Sequence, residues 1–139
     1  MNLSDILITP LARIETEGGN VLHAMKLSDP GYKSFGEAYF SWIVSGAIKG
    51  WKRHTKLTMN LVVPVGQVKF VFCMDGAAEF RVEEIGDDRY ARLTVPPGIW
   101  FCFKGVAEPR SLILNIASIP HDPNEVERLA LSGIEYDWS

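Results

Sequence analysis

The chain has 139 residues, of which 47% are hydrophobic and 22% charged, an ordinary globular balance that argues against a disordered or membrane-embedded protein. Fourteen basic and 17 acidic residues give a formal net charge of −3. Lys49, Lys52, Arg53 and Lys56 form the one basic cluster, too small a footprint for nucleic acid but sufficient for a small anion such as a diphosphate.

In chain order, Met1 to Leu11 carries Asp5 and Pro10 and has no basic leader, so it reads as neither a signal peptide nor a membrane span. The apolar runs that follow are short and rich in Val, Ile and aromatic residues. They predict strands near Ile6–Ile14, Val21–Lys26, Glu37–Ile43, Ala47–His54, Thr58–Val65, Gln67–Met74, Ala78–Glu84, Tyr90–Val95, Trp100–Lys104 and Ser111–Ala117. Turn signals separate them, among them Asp29-Pro30-Gly31, Asp75-Gly76 and Pro96-Pro97-Gly98. Val68, Phe70, Phe72 and Met74 alternate onto one face. So many short strands predict an all-β sandwich or closed barrel, in one domain over residues 1–139. One short C-terminal helix is predicted after Asp122, with Pro123 at its first position, Glu125 at capping-box spacing and Gly133 at its end. The tail after it can return Tyr136 and Trp138 to the barrel. Cys73 and Cys102 lie inside apolar runs and read as buried, reduced thiols, which places the chain in the cytoplasm.

The segment Gly46 to Val65 carries the candidate chemistry. Strand alternation puts Ile48, Gly50, Lys52 and His54 on one face, and Lys49, Trp51 and Arg53 on the other. Two readings stand: a solvent-facing edge, the usual place for a lone Lys, or a cavity wall where Gly50 leaves room for a ligand or another backbone. The three histidines, His23, His54 and His121, are far apart in sequence, so no metal is expected. Phosphate loops, serine elbows and CxxC pairs are absent from the sequence.

Lys49-Gly50-Trp51-Lys52-Arg53-His54 is followed by the run Thr58–Val65 and a Val65-Gly66 turn. With Pro97-Gly98-Ile99-Trp100-Phe101, Asp122-Pro123 and the downstream acid Glu125, it resembles the dTDP-4-dehydrorhamnose 3,5-epimerase superfamily and its dTDP-sugar 3,4-ketoisomerase relatives. The resemblance spans about Tyr39 to Trp138. It implies a cupin-like, jelly-roll antiparallel β-barrel, a homodimer without metal or organic cofactor, and a nucleotide-sugar ligand. It also implies a role in bacterial surface polysaccharides, such as capsule or O-antigen.

Transfer of residue roles is partial. Lys49 replaces the motif's Arg, and Lys52 stands where the catalytic His belongs. His54 matches a second His of the ketoisomerase branch. Asn115 occupies the place of the epimerases' acidic Tyr, and Phe101 that of a His after the Pro-x-Gly turn. Tyr39 resembles an aromatic that precedes the motif. The expected site therefore has His54, Lys52 and Tyr39 as catalytic groups, with Lys49, Asn60, Asn115, Trp51 and Trp100 binding substrate, the two Trp residues reading equally as plain core. His54 suits a base that removes a proton beside a carbonyl, and a charged Lys52 suits the enolate oxygen. The expected activity is isomerisation or epimerisation of a nucleotide-linked 4-keto-6-deoxy sugar. The alternative is a non-catalytic sugar-nucleotide-binding module with a degenerate site.

Overall fold

The short apolar runs do form strands. The computed structural model describes residues 1–76 and 78–139. Its strands are β1 (Leu7–Pro10), β2 (Arg13–Ile14), β3 (Val21–Leu22), β4 (Glu37–Val44), β5 (Ile48–His54), β6 (Met59–Val65), β7 (Gln67–Cys73), β8 (Arg81–Gly86), β9 (Ala91–Val95), β10 (Trp100–Gly105), β11 (Arg110–Ala117) and β12 (Val126–Arg128). Two five-stranded antiparallel sheets result, ordered β1-β9-β6-β11-β4 and β12-β5-β10-β7-β8, while β2 and β3 pair as a separate hairpin. This is the expected all-β, cupin-like antiparallel barrel. No helix among the described residues is long and apolar enough to cross a membrane.

The alternation read along β7 sets the core. Val68, Phe70 and Phe72 turn inward and meet Leu61, Val63, Leu93 and Ile113 of the facing sheet. The other face of β7 is apolar too, because it is also covered. Val71 and Cys73 join Trp51, Trp100 and Cys102 in a second cluster, against which Ile134, Tyr136 and Trp138 pack. The tail thus returns its aromatics as expected. Tyr136 meets Phe80 at 5.0 Å and Trp138 at 4.8 Å between ring centroids, and Lys69 Nζ lies 5.2 and 5.5 Å from the Tyr136 and Trp138 rings. Burial pushes the Cys73 thiol up to about 11 and the Cys102 thiol up to about 12, so both are inert.

Three expectations need correction. The C-terminal helix does not form. Asp122 makes a turn instead: its Oδ1 accepts from Asn124 N–H and its carbonyl from Glu125 N–H. The chain then pairs with β5 as β12, and only Leu131–Gly133 make a single 3₁₀ turn. The predicted strand Ile6–Ile14 divides at Leu11–Ala12. The strand predicted over Val21–Lys26 stops at Leu22, because a side chain takes over its backbone partners. Arg92, fully buried on β9, donates to the carbonyls of Ala24 and Pro30, both at 2.8 Å, and to Asn60 Oδ1 at 3.2 Å. Tyr90 Oη likewise donates to the His23 carbonyl at 2.7 Å, so past Leu22 the carbonyls of His23 and Ala24 are satisfied by side chains rather than by a ladder.

Candidate active site

An irregularity in β5 decides which residues face inward. Pairing with β10 sets Phe101 opposite Lys52 but Cys102 opposite Gly50, which leaves Trp51 as the extra residue of a β-bulge. The faces exchange at the bulge. Lys49, Lys52 and His54 all line the space between the sheets, whereas Ile48 and Trp51 join the second cluster outside. This corrects the plain alternation that grouped Lys49 with Trp51 and Arg53. Gly50 makes the bulge possible: its φ is +148°, and a Cβ there would lie 2.7 Å from Cys102 Cα. What approaches Gly50 is therefore a backbone.

The space holds about 250 Å³. Its floor is apolar, formed by Met59, Leu61, Phe70, Phe101, Phe103 and Ile113. Polar groups enter from both sheets: Tyr39 and Ser41 on β4 and Asn115 on β11, then Lys49, Lys52 and His54 on β5 and Arg128 on β12. His121, just before the turn, completes the rim. A small apolar chamber with a few convergent polar groups is the usual form of a small-molecule site.

His54 is held from behind. Its Nδ1 is hydrogen-bonded to Glu125 Oε1, and its ring stacks on Phe101 with centroids 5.9 Å apart. The other carboxylate oxygen, Oε2, accepts from the backbone N–H groups of Lys56 at 3.2 Å and Leu57 at 3.1 Å. Burial pushes the Glu125 carboxyl up. The His54 hydrogen bond and the two amides, with the charge His54 carries when protonated, outweigh that push and hold it below its ordinary value. An ionised Glu125 can only accept, so a neutral His54 ring meets it with Nδ1–H, the tautomer whose Nε2 carries the lone pair.

Lys52 sits two residues from His54 on the same wall. Burial lowers its pKa, and the charges of Arg128 and Lys49 lower it further. Among the described residues, no ion pair reaches Lys49, Lys52 or Arg128. Lys49 Nζ instead donates to the carbonyl of Trp42 at 2.8 Å. The chamber therefore carries an excess of positive charge, suited to an anion. Opposite, Asn115 Nδ2 donates to Tyr39 Oη at 3.0 Å.

The structure brings together Tyr39, Lys49, Lys52, His54 and Asn115 of the expected set. It leaves out the other three. Asn60 points away, accepting from Arg92 and Thr94 and donating to the Gly31 carbonyl at 3.1 Å. Trp51 is buried in the second cluster, on the outer side of the bulge. Trp100 shares that cluster; its Nε1 donates to Asp75 at 2.7 Å and its ring carries Arg53 at 4.7 Å. Neither indole can stack on a base in the chamber. Glu125, Arg128, His121 and Ser41 were not among the expected site residues. Glu125 carried a signal, as the acid after Asp122-Pro123; Arg128 carried none, since its place depends on β12. Among the described residues, no three His, Cys, Asp or Glu side chains converge as a metal site requires.

No family model matches the chain, and no curated protein matches it. Solved structures do. A dTDP-sugar isomerase from Desulfovibrio desulfuricans G20 is 33% identical over 96% of this chain and 90% of its own, with a TM-score of 0.89. The chain belongs to the dTDP-sugar isomerase and epimerase superfamily. More distant members share the fold. A His-to-Asn variant of a sugar 3,4-ketoisomerase from Thermoanaerobacterium thermosaccharolyticum, in complex with TDP-4-keto-6-deoxyglucose, is 20% identical over 91% of this chain and 89% of its own (TM-score 0.77). A dTDP-4-dehydrorhamnose 3,5-epimerase from Sulfolobus tokodaii is 17% identical over 98% and 84%, with a TM-score of 0.79.

Proposed function

We propose that the protein isomerises a nucleotide-linked 4-keto-6-deoxy sugar, with dTDP as the carrier, by moving the ketone between C4 and C3. The observation that carries this is the hydrogen bond between His54 Nδ1 and Glu125 on the wall of a chamber that Lys49, Lys52 and Arg128 also line. Nε2 takes the proton from C3, and the electrons of that C–H bond form an enediolate whose charge falls beside Lys52. Tyr39 gives O4 a proton and recovers one from O3; His54 returns its own proton to C4. Atoms balance with no co-reactant. At the more exposed rim, Lys49 and Arg128 offer two positive charges to the diphosphate. The resemblance carries the further reading that the product serves surface-polysaccharide synthesis in the cytoplasm.

Ketone transposition is favoured over 3,5-epimerisation because one base on one face suffices for it. Epimerisation needs an acid that reprotonates carbon from the opposite face; the position the resemblance gives that acid holds Asn115, which cannot act as one, and Tyr39 beside it serves the sugar oxygens in this reading. A second copy of the chain is the proposed partner. Edge strand β4 exposes Phe40, Trp42 and Val44, an apolar row that a twofold pairing would cover.

The test is proton NMR of dTDP- and UDP-linked 4-keto-6-deoxy sugars in deuterated buffer with the wild type and His54→Ala. Deuterium entry at C3 and C4, absent in the variant, is expected. Binding without exchange across the panel would make the protein a non-catalytic sugar-nucleotide binder, the reading that the replacements at Lys52 and Asn115 favour.

A further inference from the structure

Strand β12 brings two groups to the site, and its two ends are held in different ways. The end with Glu125 is tied firmly to the segment after His54. Its carbonyl accepts from Thr55 N–H and Thr55 Oγ1, both at 2.8 Å, and its Oε2 accepts from the amides of Lys56 and Leu57. The end with Arg128 lacks such ties. There β12 is the outer strand of its sheet, and the Arg128 guanidinium has no ion-pair partner among the described residues. The ladder runs on for one more residue, where Leu129 exchanges both backbone hydrogen bonds with Trp51, the bulge residue, at 3.0 and 3.1 Å. The end of an outer strand frays unless the chain beyond it is anchored.

The tail is that anchor. Residues 134–139 form no strand, and among the described residues no backbone hydrogen bond ties them to the sheet. Side chains hold them instead. Ile134, Tyr136 and Trp138, spaced two apart, pack on the cluster that contains Trp51. Tyr136 and Trp138 then close on Lys69 of β7, which lies beyond β5 and β10 in the sheet. At its near end the tail doubles back so tightly that a Cβ on Gly133 would lie 3.0 Å from Leu129 Cβ. We propose that Tyr136 and Trp138, closed on Lys69, are positioning residues for Arg128: they hold the Trp51–Leu129 end of the ladder and so keep the guanidinium at the chamber rim for the diphosphate. This rests on the reading of Arg128 as a diphosphate ligand and adds the distant residues that set how well it serves. Glu125 is tied independently, so a loosened tail weakens nucleotide binding and leaves the His54–Glu125 contact in place.

The test compares wild type with Trp138→Ala in two measurements on the intact chain. The first is amide hydrogen exchange by NMR. The Trp51 and Leu129 amides should exchange at least about tenfold faster in the variant, and those of Thr55 and Leu57 within about twofold of wild type. The second is calorimetric binding of dTDP. Trp138→Ala should weaken it about fivefold and Arg128→Gln about tenfold, while Trp138→Ala added to Arg128→Gln should cost less than about twofold more. That non-additivity is what a general loss of structure would not produce. If Trp138→Ala does not fold, Lys69→Met replaces it, since it keeps the stem and removes the charge between the rings. Unchanged exchange at Trp51 and Leu129 overturns the proposal whatever dTDP does. Equal acceleration at Thr55 and Leu57, additive losses of affinity, or Arg128→Gln binding dTDP as wild type does, overturns it too. Faster exchange at Trp51 and Leu129 with no dTDP binding by wild type keeps the tail as the anchor of Arg128 and sinks the nucleotide reading.

Discussion

Replacing Glu125 by Gln changes one atom behind His54 and should nearly abolish proton transfer. The reason is the fixed direction of the amide donors. Lys56 and Leu57 both point their N–H groups at Oε2, at 3.2 and 3.1 Å. In the variant the single carbonyl oxygen must take that place, because an NH₂ there would meet two donors. The NH₂ then faces His54 Nδ1, which must become an acceptor. The ring proton moves to Nε2, and the nitrogen facing the chamber ceases to be a base. An Asp-to-Asn exchange behind a catalytic histidine costs about 10⁴ in kcat by this route. The loss of the charge behind a forming imidazolium acts in the same direction, by about 2 kcal/mol or about 30-fold. We expect a loss of about 1,000- to 10,000-fold in the rate of deuterium entry at C3, with dTDP affinity kept within about twofold. The assay is the NMR exchange experiment on matched, folded samples. Exchange in Glu125→Gln within about threefold of wild type would refute the assignment of His54 Nε2 as base.

The same carboxylate predicts a pH dependence of stability. Its folded pKa lies below the ordinary 4.5, so its contribution is complete above the unfolded value and lost as pH falls through the folded one. Urea midpoints should drop more between pH 6 and acid for wild type than for Glu125→Gln. Lys52 has the opposite balance: its lowered pKa means that folding disfavours its charge, a cost present below the folded value and relieved as pH climbs towards 10.5. Lys52→Met should therefore raise Tm at pH 7 by about 3 °C, for about 1 kcal/mol, while exchange falls; thermal melts and NMR on one sample check both. Arg92→Met should lower stability by about 3 kcal/mol in urea titrations, since it strands the carbonyls of Ala24 and Pro30 and the Asn60 amide oxygen loses a donor. Trp42→Glu on β4 should give a monomer by light scattering if the exposed row joins two copies; a dimer of unchanged strength would remove β4 from that role.

The strands were legible because their signals are local. Val68, Phe70 and Phe72 announce an inward face by alternation alone, and Gly and Pro mark the turns between runs. The chamber was half legible. His54 and Lys52 lie two apart beyond the bulge, so simple alternation placed them together correctly. Lys49 lies before the bulge, and nothing local to Lys49-Gly50-Trp51 says that Trp51 will be the extra residue. That follows from Cys102 on another strand, whose backbone takes the room Gly50 leaves. Trp51 and Trp100 read equally as core or as stacking platforms, and the structure places both in the core. What decides between the two is the C-terminal tail, whose Ile134, Tyr136 and Trp138 cover their cluster.

The misread helix shows most directly how the site depends on distant pairing. Asp122-Pro123-Asn124-Glu125 has the composition of a helix start, and the same residues serve equally well as a tight turn. In a helix Glu125 would reach back to the backbone of Asp122. Here it reaches across 71 residues of sequence to His54, and its backbone carbonyl accepts from Thr55 N–H at 2.8 Å. The free edge of β5 settles the choice, since Val126 pairs with His54 and Arg128 with Lys52. Those pairings bring the carboxylate behind the base and the guanidinium beside the lysine in one step. A helix over 123–132 would have deprived the chamber of Glu125, Val126 and Arg128 together. Strand β12 is thus the element through which this chain turns a barrel wall into a site with a fixed base and a surplus of positive charge.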